Sequence, residues 1–244
     1  MPPLVSVIVP TFRRPDYLPL IHACFQAQTY PNLELLVHDD SEVPSTALQN
    51  IPNVRCFHSP TRLSIGQKRN FLAREARGSI LVHFDDDDYY APNYVAHMVA
   101  QLGDAAVTKL SGWYTYGVTQ QTFAYWDTAQ SSQVHFLVES GQPLTPVHGQ
   151  PVNEANRLGY GFSYVYRKSA WQAEPFPDQD FGEDYAWMRA IAQKHPVRAI
   201  PDAQGLALHI IHGANTSRVF PQYVLPPVLL DHLFGPAIAR YIAQ

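Results

Sequence analysis

The chain has 244 residues and is 46% hydrophobic, enough to bury a full core in one large α/β domain, or in one domain with a small subregion. Its formal net charge of −4 supplies no general attraction to phosphate backbones or anionic lipid, so a nucleic-acid partner is disfavoured. The two cysteines, Cys24 and Cys56, stand far from any Cys-x-x-Cys spacing, which argues against a disulfide framework or a thiolate zinc site and marks both as expected core thiols.

No basic segment followed by an apolar run opens the sequence, and no stretch approaches the ~20 apolar residues that span a bilayer. A cytoplasmic protein without a membrane span is the expectation. Apolar residues run together at Val5 to Val9, Leu33 to Val37, Val54 to Phe57 and Ile80 to Phe84, each the length of a buried strand. Pro15 can open a helix with Leu18, Ile21, Phe25 and Gln28 on one face, and Ile65, Leu72, Ala73 and Ala76 outline a second. Strands alternating with helices predict right-handed crossovers and a mainly parallel sheet flanked by helices.

From about residue 106 to 140 the chain is rich in Thr, Tyr, Trp, Val and Gln. Trp113 to Tyr116 and Val134 to Val138 read as antiparallel strands. Gly141 to Gly161, with Pro143, Pro146 and Pro151, has loop chemistry. Beyond it the pattern predicts a strand at Phe162 to Tyr166, a helix at Glu183 to Gln193, a strand at Leu206 to Ile211 and a proline-interrupted helix over Val224 to Ala243.

Chemistry concentrates in Val82-His83-Phe84-Asp85-Asp86-Asp87-Asp88-Tyr89-Tyr90. Four consecutive carboxylates at the end of an apolar strand repel one another unless a cation compensates them, and hard oxygens suit Mg²⁺ or Mn²⁺. Strand ends are also where open α/β sheets place ligands, which separates this run from an ordinary solvated acidic turn. An EF-hand loop fails on spacing, because the sixth position from Asp85 is Tyr90 rather than Gly and the twelfth is Ala96 rather than Glu.

These residues resemble the aspartate motif of the family 2 glycosyltransferases of the GT-A fold. Val5 to Pro15 resembles that family's first strand and nucleotide-binding turn, Leu36 to Ser41 its second strand and acidic pair, and Gly66 to Asn70 with Ala76 to Ile80 the segment leading to the aspartates. The resemblance spans residues 4 to 100 and resumes over 160 to 216. It implies an α/β GT-A domain, a nucleotide-diphospho-sugar transferase fold with a small antiparallel acceptor-side subregion. Residues 1 to 104 would bind the nucleotide sugar, and 105 to 244 would supply the acceptor site and the base. Under the resemblance Pro10, Thr11, Phe12, Arg13, Asp39 and Asp40 belong to the donor pocket, Arg69 lies near the nucleobase, Asp85 and Asp86 hold the ribose or order the loop, and Asp87 ligates Mn²⁺ or Mg²⁺. The donor would be a UDP-sugar and the acceptor an unidentified hydroxyl on a glycan, lipid-linked sugar, protein or small molecule.

Phe181-Gly182-Glu183-Asp184-Tyr185 resembles the family's Glu-Asp motif at the start of a helix. In an inverting transfer a carboxylate must take the acceptor's proton, and Asp184 is the candidate base; the alternative is a pair of acids that only complement the helix N-terminus. His209 and His212, three apart on a strand, should face opposite sides. The family's late metal-binding histidine resembles His212 more than His209. Trp113, Tyr114, Trp126, Tyr160 and Tyr164 accompany the loop where acceptor contacts are expected, although aromatic rings serve cores as readily as sugars. Two rivals remain on sequence grounds: a metal-dependent nucleotidyltransferase, which would want a glycine-rich phosphate loop that Pro10 to Pro15 lacks, and a catalytically silent nucleotide- or sugar-binding module.

Overall fold

A computed structural model describes residues 2–149, 152–213, 215 and 217–243. Pro151 of the loop, and Ala214 and Thr216 beyond His212, lie outside the described residues. The chain divides into two compact units, Met1–Asp86 with Pro92–Lys109 and Leu158–Ala199, and Asp87–Ala91 with Leu110–Arg157 and Ile200–Gln244. The acidic run is therefore shared: Asp85 and Asp86 belong to the first unit, Asp87 and Asp88 to the second.

In the first unit Val5–Thr11 lies between Leu33–Asp39 and Ile80–His83, parallel to both, and Val54–His58 adds a further parallel strand beside Leu33–Asp39. The central strands are apolar nearly throughout because helices cover both faces of such a sheet. On the other side Val165–Arg167 runs antiparallel to Ile80–His83 and pairs with Val107 and Thr108. The core packs Ile8, Leu36, Leu72, Leu81, Val107, Tyr164, Tyr166, Phe176, Trp187, Met188 and Ile191. Full burial of one such side chain stabilises the fold by roughly 1.5–3 kcal/mol.

The helix Ile65–Glu75 starts at a reciprocal cap: the Gln67 N–H donates to Ser64 Oγ at 3.1 Å and the Ser64 N–H to Gln67 Oε1 at 3.0 Å. This start is docked on the segment that leads to Glu183 and Asp184. Ser64 Oγ and Gln67 Nε2 donate to the Asp178 carboxylate at 2.7 and 2.8 Å, and the Gly66 N–H donates to the Gln179 carbonyl at 3.2 Å. A Cβ on Gly66 would meet the Pro177 carbonyl oxygen at 1.9 Å, so only glycine permits this approach.

In the second unit the residues from Gly112 to Gly117 pair antiparallel with Thr122–Asp127, which pairs in turn with Tyr223–Leu225. Tyr114 to Gly117 also pair parallel with Ala207–Ile211, beside which Tyr89–Tyr90 runs antiparallel. A smaller sheet joins Val134–Glu139 to Thr145–His148 and Arg218–Val219.

Several expectations change. The segment Gly141 to Gly161 is not loop throughout, since it contains the strand Thr145–His148 and the helix Glu154–Leu158. Residues Gly161–Ser163 form a 3-10 turn, which shortens the expected strand at Phe162 to Val165–Arg167. The C-terminal helix begins only at Val228, because Pro226 and Pro227 end an extended Tyr223–Leu225. Gln28 falls beyond its helix, which is Leu18–Gln26. Cys24 is a core thiol, but Cys56 is exposed. Trp113, Trp126 and Tyr164 are fully buried and fill cores, so they are not acceptor platforms.

Candidate active site

At the carboxyl ends of the central strands of the first unit, Thr11 and Asp39 are register partners, so the two parallel strands deliver them side by side. Asp39 is buried and shapes its own turn, accepting the Ser41 N–H at 2.9 Å, the Ser41 hydroxyl, and the Ser45 N–H at 3.0 Å. Asp40 accepts Lys68 Nζ and Arg62 Nη1 at 2.9 Å each, and the Leu63 N–H at 2.7 Å. Burial pushes its carboxyl up, but Lys68, the Leu63 N–H and Arg62 outweigh burial and hold it below the ordinary value. Burial pulls Lys68 down by more than Asp40 raises it. Lys68 Nζ also donates to the Thr11 carbonyl at 3.0 Å, tying the helix to the first strand.

Phe12 follows Thr11 with a half-buried ring, and the Arg62 guanidinium stands 3.9 Å from its centroid. Arg13 adopts a left-handed φ of 53°, donates its N–H to Ser41 Oγ at 2.6 Å, and pairs at the surface with Glu42. Pro10 pairs with His38 within the sheet. Asp86 is buried and accepts the Thr11 hydroxyl and Arg14 Nη1, each at 2.6 Å. This end of the unit thus offers a flat ring face, a layer of cations and oriented carboxylates, a set suited to an anionic, ring-bearing ligand.

A second cluster lies in the same unit. Arg69, expected near a nucleobase, is buried, with Nε 3.2 Å from Glu183 Oε1 and Nη2 3.5 Å from Asp85 Oδ1. Its Nη1 packs against His83 Nδ1. His83 is buried, and burial first, then the Arg69 charge, holds it well below the ordinary histidine value, so the ring is neutral. Its Nδ1 lies 2.9 Å from the Gly161 carbonyl oxygen. Glu183 is also buried; burial pushes its carboxyl up to about 7 against the opposing Arg69 charge.

Asp184, next in the chain, is only half-buried. Its Oδ2 accepts the Gly161 N–H at 2.8 Å, and its Oδ1 accepts the Tyr185 N–H at 2.6 Å. Both acids sit in the first turn of the helix Glu183–Ala192, whose N-terminal dipole favours anionic side chains. Of the two, the one that faces solvent is Asp184.

In the second unit, the register Tyr90 to Ala207 and Tyr89 to Leu208 carries Asp88 toward His209, whose Nδ1 donates to its carboxylate at 2.9 Å; the Ile210 N–H donates to the same group at 2.9 Å. His212 Nε2 lies 3.1 Å from Asp87 Oδ2, and Asn215 Nδ2 donates to that same oxygen at 3.1 Å. The two histidines thus attach to different aspartates. Among the described residues no three His, Cys, Asp or Glu side chains cluster to hold a metal by themselves. Asp87 and His212 supply one carboxylate oxygen and one imidazole nitrogen, both buried, which fits a divalent ion that takes its other ligands from a bound diphosphate and water.

Sequence reasoning missed Arg62 and Lys68 as neighbours of Asp40 and Phe12, and the Asp88–His209 pair. Lys68 carried a signal in its four-residue spacing from Ser64 on one helix face; Arg62 carried none beyond preceding the helix cap. Among the described residues no helix is long and apolar enough to cross a membrane.

A profile described as Glycosyl transferase family 2 matches residues 6–151. The chain is 30% identical over 102 residues to an uncharacterized glycosyltransferase of Rickettsia felis, a match covering 40% of this chain and 17% of that protein. It is 25% identical over 144 residues to glycosyltransferase GlyG of Streptococcus pneumoniae, covering 56% and 48% of the two chains. Among solved structures it is similar to S. aureus TarS 1–349 in complex with UDP-GlcNAc, with a TM-score of 0.62 at 17% identity over 87% of this chain and 60% of that one. It is similar also to the mannosyltransferase PcManGT of Pyrobaculum calidifontis in complex with GDP-Man and Mn²⁺, with a TM-score of 0.59 at 17% identity over 88% and 57%. These likenesses establish the GT-A fold; the chain spans less than two thirds of the length of each of these relatives.

Proposed function

Because the chain belongs to glycosyl transferase family 2, we propose that it moves a sugar from a nucleoside diphosphate donor to an acceptor hydroxyl by direct displacement, with Asp184 as the general base. The observation that carries this reading is the contrast between the two acids of one helix turn: Glu183 is buried against Arg69, while Asp184 keeps solvent access and is oriented by the Gly161 N–H. As the acceptor oxygen bonds to the anomeric carbon, the bond from that carbon to the diphosphate oxygen breaks. The acceptor proton passes to Asp184 and the nucleoside diphosphate leaves, so an α-linked donor gives a β-linked product.

In this reading Pro10, Thr11, Phe12, Arg13, Asp39 and Asp40 bind the nucleoside, with a uridine donor preferred. The Arg62 face beside Phe12 supports stacking of a planar base there. Asp86, bonded to Thr11 and Arg14, orders the turn after the first strand, and Asp85 shares the charge of Arg69. Asp87 and His212 would hold Mn²⁺ or Mg²⁺, which when bound supplies charge neutralisation for the departing diphosphate.

The test is Asp184→Asn, assayed with a panel of UDP- and GDP-sugars and Mn²⁺. Turnover should fall by roughly 10²–10⁴-fold with nucleotide affinity unchanged, whereas Glu183→Gln should act through stability. Wild-type protein that binds nucleotide but neither transfers nor hydrolyses any donor would identify a binding module, and an active Asp184→Asn would remove the base assignment.

A further inference from the structure

Lys109 is a basic residue almost wholly buried, 1% exposed, on the strand Val107–Gly117 beside Val165–Arg167. An apolar side chain of similar volume would fill that space without the cost of desolvating an ammonium group. Burial pulls its ammonium down to about 7 against the opposing Asp184 charge. What the lysine does there is specific: Nζ donates to the Gly159 carbonyl at 2.7 Å, 6.0 Å from the centre of the Tyr164 ring.

Gly159 begins the turn that reaches the proposed base. Tyr160, two residues before the 3-10 segment's centre, holds a left-handed conformation with φ of 63°, which a side chain other than glycine adopts only when its surroundings impose it. Gly161 then donates its N–H to Asp184 Oδ2 at 2.8 Å, and its carbonyl oxygen lies 2.9 Å from His83 Nδ1. A Cβ on Gly161 would stand 2.9 Å from Asp184 Cβ, so main chain and carboxylate are in direct contact. Further along, the Tyr164 hydroxyl donates to the Leu158 carbonyl and lies 3.3 Å from the Asp184 carbonyl. The turn is held by side chains at several carbonyls, and Lys109 holds the one that precedes its strained residue.

We propose that Lys109 is a positioning residue for the Asp184 carboxylate, fixing the Gly159 carbonyl so that the turn presents the Gly161 N–H to the base. The inference rests on Asp184 being the base. In this role Lys109 acts on the carboxylate through the two peptide units between the Gly159 carbonyl and the Gly161 N–H. A displaced turn leaves the carboxylate without its orienting donor, and misplacement of a catalytic group by about 1 Å costs up to ~10²-fold in rate.

The experiment compares wild type with Lys109→Met, which keeps the length of the side chain and removes the donor, and with Lys109→Gln, which keeps a neutral donor on a shorter stem. Amide hydrogen exchange on the full chain is read for a peptide covering residues 158 to 164. Turnover is read with the best donor from UDP-Glc, UDP-GlcNAc, UDP-Gal and GDP-Man, and UDP affinity by calorimetry. Expected for Lys109→Met are exchange in that peptide faster by about tenfold or more, kcat lower by about 10- to 100-fold, and donor KM and UDP affinity within twofold of wild type, with Lys109→Gln intermediate. If Lys109→Met does not fold, Lys109→Gln is judged by the same three readouts. Unchanged exchange over 158 to 164, or kcat within twofold of wild type, overturns the proposal. A dead Asp184→Asn together with a fully active Lys109 variant removes only the positioning role, whereas an active Asp184→Asn removes the base on which it rests.

Discussion

His212 Nε2 stands 3.1 Å from Asp87 Oδ2, and both side chains are buried. Asp87→Ala and His212→Ala should therefore each raise the Mn²⁺ concentration for half-maximal activity, by about tenfold or more, while leaving metal-free UDP binding in place. A Mn²⁺ titration of turnover checks this. Identical half-saturation in wild type and both variants would mean that the pair is structural.

His209 should behave differently, because its partner is Asp88 rather than Asp87. His209→Ala leaves the buried Asp88 carboxylate with one donor fewer, and the expected result is a loss of stability of about 1–3 kcal/mol with the Mn²⁺ requirement unchanged. Urea denaturation alongside the metal titration separates the two histidines; a shifted Mn²⁺ requirement in His209→Ala contradicts the division of labour.

Gly161→Ala probes the contact between the turn and Asp184, the proposed base, from the glycine side. The added carbon would approach Asp184 Cβ to 2.9 Å and Arg69 Nη2 to 3.4 Å, so either the turn or the helix start must retreat. Turnover should drop by ~10–10²-fold with a small loss of thermal stability. Wild-type kcat in this variant would show that the close approach is incidental.

His38 predicts a pH dependence. Burial, reinforced by Lys68, lowers its pKa to about 4 from the ordinary 6.5, and Nε2 is paired with Ser59 Oγ at 3.0 Å. Between these values the unfolded chain binds a proton that the folded chain does not. Stability contributed by this residue is thus complete above pH 6.5, falls as pH drops toward 4, and levels off below; the total is on the order of 2 kcal/mol. His38→Gln should flatten that part of the denaturation profile between pH 7 and 4. An unaltered slope would assign the acid sensitivity to other groups.

The central strands were legible because Val5 to Val9 and Leu33 to Val37 are buried on both faces, and continuous apolar runs of that length have few other uses. The acidic run at a strand end was also accessible, and so was the separation of His209 from His212, which attach to different aspartates, since strand periodicity sends residues three apart to opposite sides; the preference for His212 came from the family resemblance alone. The region from Gly159 to Tyr164 was not. Its aromatic residues have strand-like composition, and only the left-handed Tyr160, imposed by contacts from distant strands, turns the chain instead of extending it. Arg62, Lys68 and Lys109 were hidden for a related reason: a basic residue in sequence looks the same whether it meets solvent, a carboxylate or a buried carbonyl.

The docking of the Ser64 cap on the Asp178 loop has a practical consequence for anyone rebuilding this protein. The stretch from Pro177 to Gly182 looks like a surface insertion that could be exchanged to alter acceptor preference, as loops on a rigid scaffold often can. It is instead keyed to Gly66, where no side chain has room, and to Ser64 and Gln67 on the helix that carries Lys68 and Arg69. A graft of this loop from another transferase has to bring the matching helix start with it, so the smallest exchangeable module is two segments more than 100 positions apart in the chain.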